Sequence, residues 1–527
     1  MTRNYLSILA ETIRNNWDAP ALTDFYLTED STAQDTSRGN HYTYGEMYAE
    51  LCYVAELLTS LGLQKGDHIA ICGTNSAHWV IAYLAIAKMQ GVSVTVMHSL
   101  LPEEIARLVD FSDAKALFTD EDLWAELKSQ PMPQVENIIS LENFESLASG
   151  TSIIVSSASS PSSVYSASSP SIVSFPQSAP DDLAMICFTS GTTGNPKGVM
   201  LANKSVSEHI RVAHKLYPPK GNETYVSFLP FAHTAGLIGD ILAHIVYEKH
   251  VYISREKQSI ESIGEILFIL HPYMFITVSL VLDSIYSKFE KRLIHYLEKE
   301  CRLLIIGMAK WSALTEDIIA KSGVSISTGY SQTEAGASIC LTPYRKYKKG
   351  ASGKLVEGYV MRISPVGEIL VKGENVMLGY YKDPEATARK IDSDGWLHTG
   401  DKGHLDEDGY LYVEGRLEQD MIVLPNGENI HPEDIERKIN ALPEVSESIV
   451  LARDGRLVAI VVPSSESSES SETSETIASS PSTSLRRTIL RAVNPQLPLF
   501  SQLYDVEITD TPLARTEKQT IKRYLYK

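Results

Sequence analysis

Cysteine is scarce. Five residues in 527 (Cys52, Cys72, Cys187, Cys301 and Cys340) are scattered, with no C-x-x-C pair and an odd total. That excludes a disulfide framework and leaves reduced thiols, as expected of a cytoplasmic protein. Basic charge is also short, with 47 Lys and Arg against 66 Asp and Glu and a net charge of −19. Nucleic-acid and membrane-surface binders need a basic face, so neither class fits, although a local anion site remains open. Long apolar runs are missing as well. Residues 266–282 carry no acidic or basic residue apart from His271, but Pro272 interrupts a stretch of only 17 residues, short of the roughly 20 that a spanning helix needs. No apolar h-region follows Met1, so no signal peptide is expected.

What is present alternates. The length corresponds to roughly three or four units of about 150 residues, enough to bury a core without metal or disulfides. Thr43-Tyr-Gly-Glu46 predicts a capping box ahead of Met47, Leu51, Val54, Leu58 and Leu61 at helical spacing. A strand over 68–72, a helix over about 78–89 and a strand over 92–97 follow, and this alternation implies a mainly parallel sheet. After about residue 355 short strands between Gly turns, at 367–373 and 409–415, predict a small β-rich subdomain. An α+β unit closes the chain. Two stretches have no period. Residues 151–180 hold thirteen Ser and no charge, and 464–484 hold Ser, Thr and Glu without Lys or Arg. Both read as flexible excursions, the second inserted between a strand at 457–462 and a helix at 485–493.

The most informative segment is Phe188-Thr-Ser-Gly-Thr-Thr-Gly-Asn-Pro-Lys-Gly198. A strand over 183–188 runs into hydroxyl residues and glycines, then a lysine. Glycine lets backbone approach closely, hydroxyls and N–H groups donate to phosphate oxygens, and Lys197 adds charge. A Walker A loop would need Gly-Lys-Ser/Thr where this chain has Pro196-Lys197-Gly198, so that motif fails.

The run T-S-G-T-T-G-x-P-K-G resembles the signature loop of the adenylate-forming superfamily, which includes acyl- and aryl-CoA ligases, carrier-protein adenylation domains and luciferases. Further segments agree in order: Gly329-Tyr-Ser-Gln-Thr-Glu334, Gly367-Glu-Ile with Gly379-Tyr380, His398-Thr-Gly-Asp401, Gly415-Arg416, and 425–436 beyond the hinge. The resemblance spans nearly the whole chain. It implies an α/β fold with a large composite N-terminal domain of mainly parallel sheets (1–415) and a small mobile α+β C-terminal domain (416–527). It also implies a reaction in which a carboxylate attacks the α-phosphate of ATP, pyrophosphate leaves, and a thiol then displaces AMP.

Roles carry over residue by residue. Thr189, Ser190, Gly191, Thr192, Thr193 and Lys197 would hold the departing pyrophosphate. Glu334 would hold Mg²⁺, a hard cation suited to carboxylate and phosphate oxygens. Thr333 would contact the α-phosphate and Tyr330 would stack on adenine. Asp401 would accept ribose hydroxyl hydrogens, and Arg416 would add charge near them. The backbone at Gly427 would line the thiol channel. Phe228-Leu-Pro-Phe-Ala-His233 and the loop 421–429 are similar to long-chain fatty acid–CoA ligases, which places His233 near an acyl entrance and names a fatty acid, ATP and CoA as the small-molecule partners. An acyl carrier protein is the alternative acceptor. No nucleic acid and no stable membrane anchor are expected.

The chain also departs from the family. Aligning Pro512, Arg515-Thr516 and Ile521-Lys-Arg523 puts Gln519 where Gly is usual and Thr520 where the adenylation Lys belongs. Lys518 and Lys522 each lie two residues away, on the same side of an extended strand; Lys522 also matches the family's ordinary second Lys, so Lys518 is the candidate substitute. The alternative is a nucleotide- or acyl-binding member impaired in adenylation. Glu418 or Asp420 would serve as the hinge pivot, and Gly307-Met-Ala309 differs from the usual Gly-Gly-Ala near the adenine and acyl pockets.

Overall fold

The computed structural model describes residues 4–27, 39–147, 170–189, 196–218, 223–247, 249–255, 259–307, 311–417, 422–425, 428–464, 481–514, 521 and 523–526. The chain forms two compact units. The large one comprises Met1–His98, Pro102–Thr189 and Lys197–Leu417, and the small one is mainly Glu418–Lys527.

The large unit is layered α/β. Its main sheet has seven strands in the order Gly379–Tyr380, Lys197–Ala202, Leu183–Thr189, Val92–Thr95, His68–Cys72, Ala116–Thr119, Asn137–Ser140. The last five are mutually parallel, and at the edge Lys197–Ala202 runs antiparallel to both of its neighbours. Burial on both faces accounts for the continuous apolar run Ile69–Cys72, and Val92–Thr95 is likewise buried at every position although Ser93 and Thr95 are polar. Helix Ala77–Lys88 is nearly all buried, because it packs against neighbours on all sides. The capping box of helix Tyr44–Ser60 forms as expected, with the Thr43 hydroxyl accepting from the Glu46 N–H and the Glu46 carboxylate accepting from the Thr43 N–H.

A second, mixed sheet joins His41–Thr43, Pro20–Phe25, Val251–Ser254 and Tyr225–Ser227, and a third is parallel through Met274–Thr277, Leu303–Ile306 and Ile326–Ser327. The apolar run at 266–282 divides as its sequence dictates. Helix Ile260–Leu270 ends at His271 in the left-handed region, φ 46°, and Pro272 precedes the strand. No described helix is long and apolar enough to cross a membrane. The β-rich subdomain is an antiparallel sheet of Tyr359–Ile363, Glu368–Gly373, Leu397–Leu405 and Leu411–Arg416.

The small unit is built on a three-stranded sheet, Val445–Arg453, Arg456–Pro463 and Asp505–Ile508, with a short antiparallel pair, Ile422–Val423 and Asn429–Ile430, and helices Pro432–Asn440 and Pro481–Val493. Pro432 occupies the first helical turn, where its missing N–H costs nothing, and Glu433 and Asp434 follow it there. All five cysteines are buried and unbonded. Burial pushes every thiol up, Cys187 and Cys301 to about 11 and Cys340 to about 12.

Candidate active site

Thr189 ends a central strand and Lys197 begins the next, and the antiparallel register sets them opposite each other. The loop between them therefore leaves the sheet at the carboxyl end of a strand in its parallel array, where open α/β sheets bind ligands. Ser190, Gly191, Thr192 and Thr193 lie outside the described residues.

Glu334 comes to the same edge by a different route. Strand Gly329–Gln332 passes into a single tight turn, Thr333–Ala335, and Gly336 at φ 80° reverses the chain. A side chain at Gly336 would meet Ser205 Oγ at 2.3 Å, so only glycine fits. The Glu334 carboxylate accepts from the Tyr380 hydroxyl at 2.7 Å, and Lys197 Nζ lies 4.9 Å from the centre of the Tyr380 ring. One tyrosine thus meets the lysine with its face and the carboxylate with its tip. Among the described residues no group of three or more His, Cys, Asp or Glu is placed to hold a metal ion by itself. Mg²⁺ typically keeps waters and takes one or two carboxylates plus substrate phosphates, so a lone Glu334 beside a phosphate loop suits it.

Asp401 is buried, and its Oδ2 accepts from the Tyr330 hydroxyl at 2.5 Å and from Gln332 Nε2 at 2.6 Å. Its N–H donates to Thr399 Oγ1, whose hydroxyl donates to the Ile369 carbonyl. Glu368 accepts from the Gly400 N–H and contacts the His398 ring. Asp401 also pairs in register with Arg416, whose backbone is described but not its side chain. Tyr330 is itself buried, with its hydroxyl turned to Asp401.

His233 is half-buried in the turn before a π-helix, Ala235–Leu242, a rare geometry that recurs at functional sites. Its loop is held from several sides. Asn75 donates to the Leu229 carbonyl and accepts from the Phe231 N–H, while Thr95 Oγ1 and Cys187 Sγ both donate to the Ala232 carbonyl. Buried Asp240, on the π-helix, accepts from the hydroxyls of Tyr225 and Ser227 and from the Leu229 N–H, and burial pushes its carboxyl up to about 7. The strand carrying the phosphate loop therefore also positions the neighbour of His233.

In the small unit, Lys518 and Gly427 lie outside the described residues, as do Thr520, Glu418 and Asp420. The chain on either side of 515–520 is anchored. The Leu513 N–H donates to Glu447 and the Ala514 N–H to the Tyr526 hydroxyl. Arg523 forms a buried two-pronged pair with Glu436 at 2.5 and 2.7 Å and donates to the Val450 carbonyl.

The structure brings Lys197 and Glu334 to one ring, with Thr189 opposite Lys197 in the strand register, and Tyr330 onto Asp401. The linking residues had no role assigned from sequence. Tyr380 and Gln332 stand inside recognisable motifs and could have been noticed there. Asn75, Thr95 and Cys187 carry no local signal, because only the tertiary fold makes them neighbours of the 229–233 loop, and Asp240 on the π-helix after that loop stands in no motif.

Comparison with known proteins agrees. The pattern described as AMP-binding enzyme matches residues 9–381, and that described as AMP-binding enzyme C-terminal domain matches 419–526. A 2-succinylbenzoate–CoA ligase of Oceanobacillus iheyensis is 30% identical, over 80% of this chain and 83% of its own. A long-chain-fatty-acid–CoA ligase of Mycobacterium bovis is 25% identical, over 75% and 72%. Among solved structures, an o-succinylbenzoate CoA synthetase from Bacillus subtilis shares the fold with a TM-score of 0.75 and 22% identity, covering 99% of this chain and 97% of that one. The phosphate-loop hairpin, the Thr-Glu turn and the buried Asp401 are thus local parts of a likeness that runs through both units, and this chain belongs to the AMP-binding enzyme family.

Proposed function

We propose that this chain is an ATP-dependent acid–CoA ligase whose acid is a fatty acid, acting in the cytoplasm. The observation that carries the nucleotide half of this reading is the Lys197–Tyr380–Glu334 contact at the mouth of the phosphate loop. The apolar π-helix behind His233, the L-P-x-x-H segment and the long-chain relative support the acyl half.

In the first step a carboxylate oxygen bonds to the α-phosphorus of ATP while the bond to the β-phosphate oxygen breaks and pyrophosphate leaves. Two anions meet, so catalysis is charge neutralisation and alignment. Lys197 and the hydroxyls of the loop, Thr189 among them, neutralise the departing pyrophosphate. Thr333 hydrogen-bonds the α-phosphate, and Asp401 with Arg416 fixes the ribose. Mg²⁺, held by Glu334, would supply further neutralisation of phosphate charge. Lys518 stands in for the missing lysine at Thr520. In the second step the CoA sulfur attacks the acyl carbon, the carbon–oxygen bond to AMP breaks, and the pantetheine passes the backbone at Gly427.

The test is carboxylate-dependent ATP–pyrophosphate exchange over acids of graded chain length, with and without CoA. Exchange that rises with alkyl chain length, abolished by Lys518→Ala, is the expected result. Exchange with aryl acids alone would overturn the fatty acid assignment. Thioester formed on an acyl carrier protein but not on CoA would replace the acceptor. ATP binding with no exchange for any acid favours the impaired alternative, which Thr520 motivates.

A further inference from the structure

Gln332, immediately before the Thr-Glu pair, has no role so far. Gln332 ends its strand half-buried, with its side chain on the same side as Tyr330, while Ser331 between them is exposed. Its Nε2 lies 2.6 Å from Asp401 Oδ2, 3.0 Å from the Thr399 carbonyl oxygen and 3.2 Å from the Tyr330 hydroxyl. Amide orientation is settled by such surroundings. Turning the amide over would set its oxygen against a carboxylate and a carbonyl, so the nitrogen must face them.

The same orientation leaves Gln332 Oε1 buried and without a partner among the described residues. An orphaned buried acceptor is costly, and a native structure that keeps one invites a donor from outside the protein. Tyr330 and Gln332 also direct both of their donors to one oxygen of Asp401. The carboxylate is thereby pinned from the strand Gly329–Gln332, while its backbone is pinned through Thr399 to the antiparallel sheet. Two separate sheets converge to fix one carboxylate, next to an acceptor that has nothing to accept.

We propose that Gln332, with the Tyr330 hydroxyl, is the positioning pair that sets Asp401 for the sugar of the nucleotide, an inference that rests on the adenylation reading above. Gln332 Nε2 orients the carboxylate and Oε1 offers a second acceptor, so the pair reads the ribose hydroxyls and discriminates against deoxyribose. Tyr330 acts here through its hydroxyl, whatever its ring does.

The experiment is calorimetric titration of the full chain with ATP, 2′-deoxy-ATP and 3′-deoxy-ATP in the presence of Mg²⁺ and without acid, so that no turnover is needed. Wild type should prefer ATP. Gln332→Leu should weaken ATP about tenfold and leave at least one deoxy analogue nearly unchanged, so that the preference collapses. Tyr330→Phe, which keeps the ring, should lower the preference severalfold and serves alone if Gln332→Leu does not fold. Equal weakening of ATP and both analogues, or a wild type with no preference, overturns the inference. Preference lost in the variants while wild type shows no pyrophosphate exchange with any acid would sustain it and remove the ligase reading instead.

Discussion

Arg523 is the place where one substitution should loosen the small unit. Its guanidinium and the Glu436 carboxylate are about nine-tenths buried and joined by two charge-assisted bonds. Removing one partner of a buried pair costs about 3–5 kcal/mol, because the other charge stays behind unpaired. Arg523→Met keeps most of the side-chain stem and removes the charge with its donors to Glu436 and the Val450 carbonyl, so packing loss adds little. In a unit of this size each kcal/mol moves the melting temperature by about 4 °C or more, so its transition should fall by roughly 12 °C or more. Differential scanning calorimetry of the full chain reads this directly, with the transition of the large unit as an internal control. Glu436 Oε1 also accepts from the Val450 N–H, which dictates the companion variant. Glu436→Gln keeps that acceptor and removes the stranded charge, so Glu436→Gln with Arg523→Met should recover about 1–2 kcal/mol relative to Arg523→Met alone. A double variant no more stable than the single one would refute the stranded-charge account. So would a single variant that loses under about 1 kcal/mol.

Other outcomes follow from the large unit. Tyr380→Phe keeps the ring under Lys197 and removes the donor to Glu334, a bond to a charged group worth about 1.5–3 kcal/mol; pyrophosphate exchange should fall roughly tenfold or more, and a rate equal to wild type would exclude the bond from the reaction. Asp240 has a folded pKa near 7 against an ordinary 3.8, raised by burial, so the native state holds the extra proton and stability falls as pH rises from about 4 to about 7. Asp24, raised to about 6 by burial, adds the same sign. Denaturant titrations should therefore show Asp240→Asn gaining on wild type across that window and no further above it, and parallel pH profiles would contradict the assignment. A methyl at Gly239, on the π-helix, would meet nothing within 4 Å; Gly239→Val should shorten the longest acid that supports exchange while leaving the KM for ATP unchanged, and an unaltered chain-length profile would put that space outside the acyl path.

Much of the scaffold was legible because its signals are local. Strand His68–Cys72, the Thr43 capping box and Pro432 opening a helix depend on neighbours within a few residues. The break at His271-Pro272 could be seen because proline and a left-handed residue disrupt any helix locally. Thr189, Lys197, Glu334 and Asp401 could be singled out as candidates through their motifs, but not the contacts that Lys197, Glu334 and Asp401 make. Tyr380 stands 46 residues from Glu334 in sequence, and the pairing of Gly379 and Tyr380 with Met200 and Val199 at the sheet edge is what delivers it. Asn75 grips a loop 154 residues away. Side chains recruited across a sheet leave no periodicity to read. Gln332 shows an intermediate case, visible within a motif yet mute until Asp401 and Thr399 surround it.

The protonated, buried cysteines have a chemical consequence. An acyl-adenylate is a potent acylating reagent, and a site that makes one carries the hazard of acylating its own chain. Thiolate is the reactive form of cysteine, and this chain keeps all five thiols buried and raised in pKa. Cys187 is the instructive one. It stands two residues before Thr189, on the strand that leads into the phosphate loop, and burial is the main cause of a pKa near 11, with the Glu334 carboxylate adding to it. Its Sγ–H is committed to the Ala232 carbonyl. The sulfur on the strand that leads into the phosphate loop is thus held out of nucleophilic service, so that a thiol arriving with the acceptor meets no competing cysteine thiolate.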